Sequence, residues 1–380
     1  MASAENILFD NDSRVAPLGV IAMDGAKELG EKVNSFLVKW ANENEYFKDT
    51  FLVEADCPRF SSGDGKGLIK QTVRGNDLFI LCDMGNYSVT YDYFGHENCM
   101  SPDDHYQDLK RLIQAASGKA HRINVIMPSL YGGRQHRRNY RESLDCAVAL
   151  QELQAMGVSN VLTFDAHDPR VQNAVPLMGF DNIIPSYQVL KSMFKNLPDF
   201  KPDKQHFMIV SPDEGAINRN MYYASVLGVD LGMFYKRRDY STIVNGRNPI
   251  VAHEYMGNDV AGKDVFIADD IISSGESMLD IAVELKKRKA NKIYCYATYA
   301  IFTNGLDSFD KAYADGIIDG VFGTNLTYRS PALIERPWFY EVDCAKYIAY
   351  FIAALNHDSS ISRVIDPHQK ISALLEKYGI

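Results

Sequence analysis

The stretch Val265 to Ser277 reads VFIADDIISSGES and constrains the fold of this chain more than any other. It begins as a short apolar run, Val265-Phe266-Ile267-Ala268, of the kind that forms a buried strand in a parallel sheet. Two adjacent acids follow, Asp269 and Asp270, then Ser273-Ser274-Gly275-Glu276-Ser277. Beyond them Leu279, Ala282, Val283 and Leu285 recur at helical spacing. Strand, acid pair, hydroxylic loop and helix together suit a phosphate held by backbone amides and hydroxyls at a helix N-terminus. The paired carboxylates can reach sugar hydroxyls or a metal beside it. The bland alternative is an ordinary strand-to-helix turn with a serine-rich cap.

No Gly-Lys-Ser/Thr follows the strand, so this is not a P-loop. The stretch resembles the phosphoribosyl-binding loop of the type I phosphoribosyltransferase fold, in which two acids hold ribose hydroxyls and the loop wraps the 5-phosphate.

The rest of the chain repeats the same pattern. Strands are expected at Leu18–Met23, Asp77–Cys82, Ile123–Pro128, Val161–Phe164, Phe207–Val210, Gly232–Tyr235, Asp264–Asp270 and Lys292–Tyr299. Helices are expected at Gly25–Asn42, His105–Ser117 and Glu142–Met156, and after Gly215 through Leu227. Strands alternating with helices imply mainly parallel sheets flanked by helices, and 380 residues suit two such domains in tandem. The expected boundaries are 1–185, 186–342 and a C-terminal helical segment, 343–380. Within that segment Ala345–Leu355 is apolar nearly all round, so it is expected to be buried in the fold or partly between subunits. A last helix, Pro367–Tyr378, is expected to pack on it.

Polar constellations fall at the expected strand ends, where such sheets bind ligands. Gly133-Arg134-Gln135-His136 opens a loop with four arginines, Arg134, Arg137, Arg138 and Arg141. In a chain of net charge −9, this is a local anion-site candidate, a solvated charged loop being the alternative. Asp165-Ala166-His167-Asp168 sets an imidazole between carboxylates, a metal or catalytic candidate against a structural histidine. Ser211-Pro212-Asp213, Lys236-Arg237-Arg238 and the glycine-rich Arg59–Gly65 complete the set. The acidic balance argues against general nucleic-acid binding. Six scattered cysteines suggest neither a zinc site nor a disulfide framework and fit a reducing cytoplasm. The N-terminal residues lack signal-peptide features, and no apolar run is long enough to span a membrane.

In content and order these motifs resemble the ribose-phosphate diphosphokinase family, from about Pro58 to Asn356. The resemblance implies two tandem type I phosphoribosyltransferase-like domains. It also implies transfer of the diphosphoryl group of ATP to ribose 5-phosphate, with Mg2+ as cofactor. It implies that Asp269, Asp270, Ser273, Ser274, Gly275, Glu276 and Ser277 bind the sugar phosphate. Arg134, Gln135 and His136 would bind the nucleotide, with Phe60, Ser62 and Asp64 reaching it from a second subunit of a homo-oligomer. His167 and Asp213 would hold the metal, and Lys236, Arg238 and His167 would be catalytic. Ser62, His136 and Ser273 stand where the family usually has aspartate, aspartate and an acid, and Glu276 where it has a small residue. Two readings therefore stay open beside the synthetase: a non-catalytic regulatory relative, and a phosphoribosyltransferase consuming phosphoribosyl pyrophosphate.

Overall fold

The structure is a computed structural model describing residues 14–238 and 250–379, the side chains of 236–238, 250–253 and 363–364 excepted. The chain divides into two compact units. The first comprises residues up to Pro185, Asn325–Tyr328 and Asp343–Asp366; the second comprises Ser186–Thr324, Arg329–Val342 and the residues from Pro367 onward.

In chain order the first unit runs β1 (Leu18–Ala22), α1 (Lys27–Glu43), β2 (Ala55–Asp56), β3 (Leu68–Ile69), β4 (Asp77–Leu81), β5 (Thr90–Tyr93), β6 (His96–Cys99), α2 (Pro102–Ala116), β7 (Arg122–Ile126), α3 (Asp145–Ala155), β8 (Asn160–Phe164) and β9 (Gly179–Ile183). A five-stranded sheet in the order β1-β4-β7-β8-β9 is parallel throughout. Its central strands β4, β7 and β8 are largely apolar on both faces because both are covered. Leu78, Ile80 and Val125 pack with Leu109, Leu112, Ala149 and Leu153 of α2 and α3. On the opposite face Gly30 of α1 lies so close that a Cβ there would meet Ala22 at 2.4 Å.

α2 begins at Pro102, three residues before the predicted start, because Ser101 and Asp104 form a reciprocal capping box with proline at the first helical position. α3 begins at Asp145, three residues after the predicted start. The hairpin β5–β6 and the edge strand β9 carry little apolar alternation and were not predicted.

The second unit runs α4 (Ser186–Asn196), β10 (Phe207–Ser211), α5 (Ile217–Leu227), β11 (Asp230–Arg238), β12 (Ile250–Met256), β13 (Asp264–Ile272), α6 (Glu276–Lys287), β14 (Ile293–Ala300), α7 (Asp307–Ala314), β15 (Gly320–Thr324), α8 (Pro331–Ile334) and β16 (Phe339–Val342). Its seven strands lie in the order β12-β11-β10-β13-β14-β15-β16, all parallel except β12. Strand order reverses between β10 and β13, which makes their carboxyl ends the topological switch point where such sheets bind ligands.

After β16 the chain forms α9 (Ala345–Asn356) and α10 (Ser362–Ile365) in the first unit, then α11 (His368–Lys377) in the second. α9 lies against α1, with Tyr350 on Trp40 at 4.5 Å between ring centroids and Tyr347 against Phe164. Its apolar surface is thus buried within the unit itself. α11, expected on the apolar helix, packs instead on α4, with Tyr378 stacked on Phe194 at 4.5 Å.

Candidate active site

In the second unit β13 extends through the acid pair to Ile272, beyond the predicted end. Asp269 and Asp270 are therefore rigid parts of a strand. Asp270 is buried, and Asp269 is half-buried with its Oδ1 accepting a bond from the Asp270 amide at 2.9 Å. Burial first, then the Asp270 charge, push the Asp269 carboxyl well above the usual carboxylate range; Asp213 adds to the push and Arg219 opposes it. The guanidinium of Arg219, buried on α5, lies 3.6 Å from Asp269 and 4.0 Å from Asp270. Beside it the Asn220 amide donates to the Ala268 carbonyl at 2.8 Å and to Ser211 at 3.3 Å, joining the ends of β13 and β10. Sequence reasoning missed both residues. Their only signal is a polar pair in the first turn of the helix that follows Asp213.

Ser273, Ser274 and Gly275 form the turn, and Glu276 and Ser277 open α6. Gly275 has φ of +82°, and a Cβ there would sit 2.3 Å from the Phe309 ring, so only glycine fits. Glu276 is exposed and accepts a long bond of 3.4 Å from the Asn304 amide, which draws its carboxylate towards that residue. Asp213 follows β10 and accepts from the Ala216 amide at 3.2 Å, just ahead of α5. Lys236 and Arg238 end β11; their side chains lie outside the described residues.

In the first unit the loop after β7 is built around Gln135. Its side-chain amide donates to the carbonyls of Arg137 and Ser143 at 3.2 and 2.9 Å, which keeps this segment out of α3. Arg134 is exposed. His136 turns inward to the segment after β8, its ring 5.2 Å from that of His167 and its Nε2 3.5 Å from Asp168. Burial pulls the His136 imidazole below its ordinary value, against the pull of Asp168. The Arg170 guanidinium beside Asp168 holds its carboxyl down to about 2. Asp165 is buried with φ of +43°, a strained conformation for a residue with a side chain, at the turn that delivers His167.

Phe60, Ser62 and Asp64 sit on a tight loop. The Phe60 amide donates to the Asp64 carbonyl at 2.7 Å, and the Ser62 hydroxyl donates to the Asp64 carboxylate at 2.8 Å. Phe60 is 54% exposed. No group of three or more His, Cys, Asp or Glu side chains spaced for a metal occurs among the described residues. His167 in the first unit and Asp213 in the second each offer a single donor, and magnesium is a cation that takes single protein donors alongside water and substrate oxygens. No helix among the described residues is long and apolar enough to cross a membrane.

Two α/β units, one with an acid pair and a phosphate-type turn at its switch point, define a tandem phosphoribosyltransferase-type protein. The sequence matches the N-terminal domain of ribose phosphate pyrophosphokinase over residues 18–157 and a phosphoribosyl transferase domain over 184–315. It is 28% identical to a ribose-phosphate pyrophosphokinase of Pasteurella multocida, covering 86% of this chain and 94% of that one. Identity to one of Vibrio cholerae is 29%, covering 83% and 92%. The fold matches the crystal structure of phosphoribosylpyrophosphate synthetase from Mycobacterium smegmatis with a TM-score of 0.71 at 20% identity, covering 90% of this chain and 100% of that one. The chain belongs to the ribose-phosphate pyrophosphokinase family.

Proposed function

We propose that this chain transfers the diphosphoryl group of ATP to the anomeric hydroxyl of ribose 5-phosphate, giving phosphoribosyl pyrophosphate and AMP. The acid pair and turn at the switch point of the second sheet carry this reading. Adjacent carboxylates followed by hydroxyls and amides at a helix start are what a sugar phosphate requires. Asp269 and Asp270 orient the ribose hydroxyls. Ser273, Ser274, Gly275 and Ser277 offer amides and hydroxyls to the 5-phosphate. Glu276 is drawn towards Asn304, an exposed amide.

The anomeric hydroxyl oxygen attacks the β-phosphorus, the bond from that phosphorus to the α–β bridging oxygen breaks with AMP as leaving group, and the hydroxyl proton is released to solvent. Such transfers depend on positioning and charge neutralisation rather than on a protein nucleophile. Lys236 and Arg238 neutralise charge on the bridging and β-phosphate oxygens. Arg134 and His136 hold the nucleotide, and Gln135 keeps their loop in shape. Phe60, Ser62 and Asp64 of a second copy meet the base, so a homo-oligomer with a shared ATP site is part of the proposal. Cytoplasmic residence is part of it too. His167 and Asp213 hold Mg2+ or its water shell, and magnesium when bound supplies positive charge to the phosphate oxygens.

The test is AMP formation from ATP, magnesium and ribose 5-phosphate by the purified chain. AMP appearing only with the sugar phosphate is the expected result. Lys236→Ala is expected to raise the barrier by roughly 2–4 kcal/mol, the size of a lost electrostatic stabiliser, read as kcat. No AMP from a folded chain that still binds ribose 5-phosphate would leave a non-catalytic regulatory relative instead.

A further inference from the structure

We infer that Asp108, which grips Arg59 and Arg111, is the positioning centre of the loop 59–65 and sets the affinity for ATP without touching the nucleotide. The inference rests on the reading of Phe60 and Asp64 as nucleotide-binding residues.

Arg59 and Phe60 are neighbours in the chain with opposite fates. The phenyl ring of Phe60 is exposed, whereas the Arg59 side chain is 9% exposed and turned into the protein. Its fork meets Asp108 of α2 in two bonds, Nη1 to Oδ1 at 2.7 Å and Nη2 to Oδ2 at 2.9 Å. Arg111, one turn further along α2, donates to the same Oδ1 at 2.6 Å. Arg59 also donates to the Cys57 carbonyl at 3.1 Å, and the Tyr91 ring of β5 lies over its guanidinium at 5.1 Å.

One carboxylate, 5% exposed, therefore holds two guanidinium groups together. Without it two cations would face each other in a poorly hydrated place.

The loop is laid directly on this clamp. Arg59 bridges to Gly65 across the loop, and a Cβ on Gly65 would stand 2.4 Å from Arg59 Nη1 and 2.7 Å from Arg111 Nη1. At the tip, Gly63 donates to the Phe60 carbonyl at 2.8 Å, and a Cβ on Gly63 would strike the Tyr93 ring at 2.6 Å. Phe60 and Asp64 are thus presented by a loop ordered before any ligand arrives. A ligand that meets a preordered loop spends no binding energy on ordering it. Loosening the clamp weakens nucleotide binding while leaving the sugar-phosphate loop of the other unit unchanged.

The experiment compares the full chain with Asp108→Asn, and with Arg59→Lys, which keeps the charge but not the fork. ATP affinity is measured by calorimetry with magnesium, the two KM values by AMP formation, and hydrogen exchange over residues 59–65 by mass spectrometry. We expect about tenfold weaker ATP binding and a matching rise in KM for ATP. KM for ribose 5-phosphate stays unchanged, and exchange accelerates within the loop. Arg59→Lys falls between wild type and Asp108→Asn. It also carries the test if Asp108→Asn does not fold.

Unchanged ATP affinity in a folded variant, or an equal rise in both KM values, overturns the inference and leaves the proposed reaction standing. A wild type that binds ATP in an Asp108-dependent way yet forms no AMP supports the clamp and removes the reaction. A wild type that binds no ATP overturns both.

Discussion

At Gly275 the backbone takes φ of +82° and lies against the Phe309 ring, so the turn between acid pair and helix tolerates no side chain. Gly275→Ala combines left-handed strain with overpacking, together about 2–4 kcal/mol. Urea denaturation is expected to show that loss, and KM for ribose 5-phosphate is expected to rise at least about tenfold on the same physical scale. A second residue-scale prediction concerns pH. Arg170 holds the Asp168 carboxyl below its ordinary value of 3.8, down to about 2. A depressed folded-state value contributes stability above the unfolded value and loses it as the pH falls through the folded one. The advantage of wild type over Asp168→Asn is therefore expected above about pH 4 and gone near pH 2, in unfolding curves taken across that window. These residues were unequally legible. Glycine after two serines marks a tight turn by its chemistry. The pairing of His136 with His167 joins two loops distant in sequence, and no local pattern announces it.

At the scale of elements, polar residues inside the fold decide which pieces stay together. Asp77 opens β4 and is fully buried. It accepts from Arg122 of β7 at 2.8 and 2.7 Å, from Asn124 at 2.8 Å, and from Asn356 at the end of α9 at 3.0 Å. One carboxylate thereby ties two strands to a helix from the far end of the chain. Asp77→Ala leaves the Arg122 guanidinium with only the exposed carboxylate of Asp358 and takes an acceptor from the buried amides of Asn124 and Asn356, a change that costs about 3 kcal/mol. That loss should appear as a lower urea midpoint with the slope unchanged. The strands and helices themselves were readable from apolar periodicity, since burial on one or both faces writes itself into spacing. Hairpin β5–β6 was not readable, because its residues are mostly exposed and alternate weakly. The start of α2 was readable in principle from Ser101-Pro102-Asp103-Asp104, whose capping chemistry outweighs the later onset of apolar spacing.

For the whole molecule the consequence is connectivity. The chain leaves the first unit at Pro185 and returns to it at Asn325–Tyr328 and Asp343–Asp366. There Asp83 accepts from the Thr327 hydroxyl at 3.1 Å and from the Tyr328 amide at 2.8 Å, and α9 covers α1. A fragment of residues 14–185 lacks α9 and the Asn356 partner of Asp77. It is expected to unfold without a cooperative transition by circular dichroism, whereas the full chain unfolds cooperatively. A sharp transition in the fragment would show that the returning segments are dispensable. The sequence by itself determined the alternating α/β pattern, the two tandem units and the acid pair with its turn at 269–277, because apolar spacing and turn chemistry are local signals. Only the tertiary structure decided that α9 packs against α1, that Arg219 lies under the acid pair, and that Asp108 anchors the loop of Phe60. Each of these is a desolvated contact between segments far apart in the chain, and its energy exists only once folding has brought the partners together and excluded water.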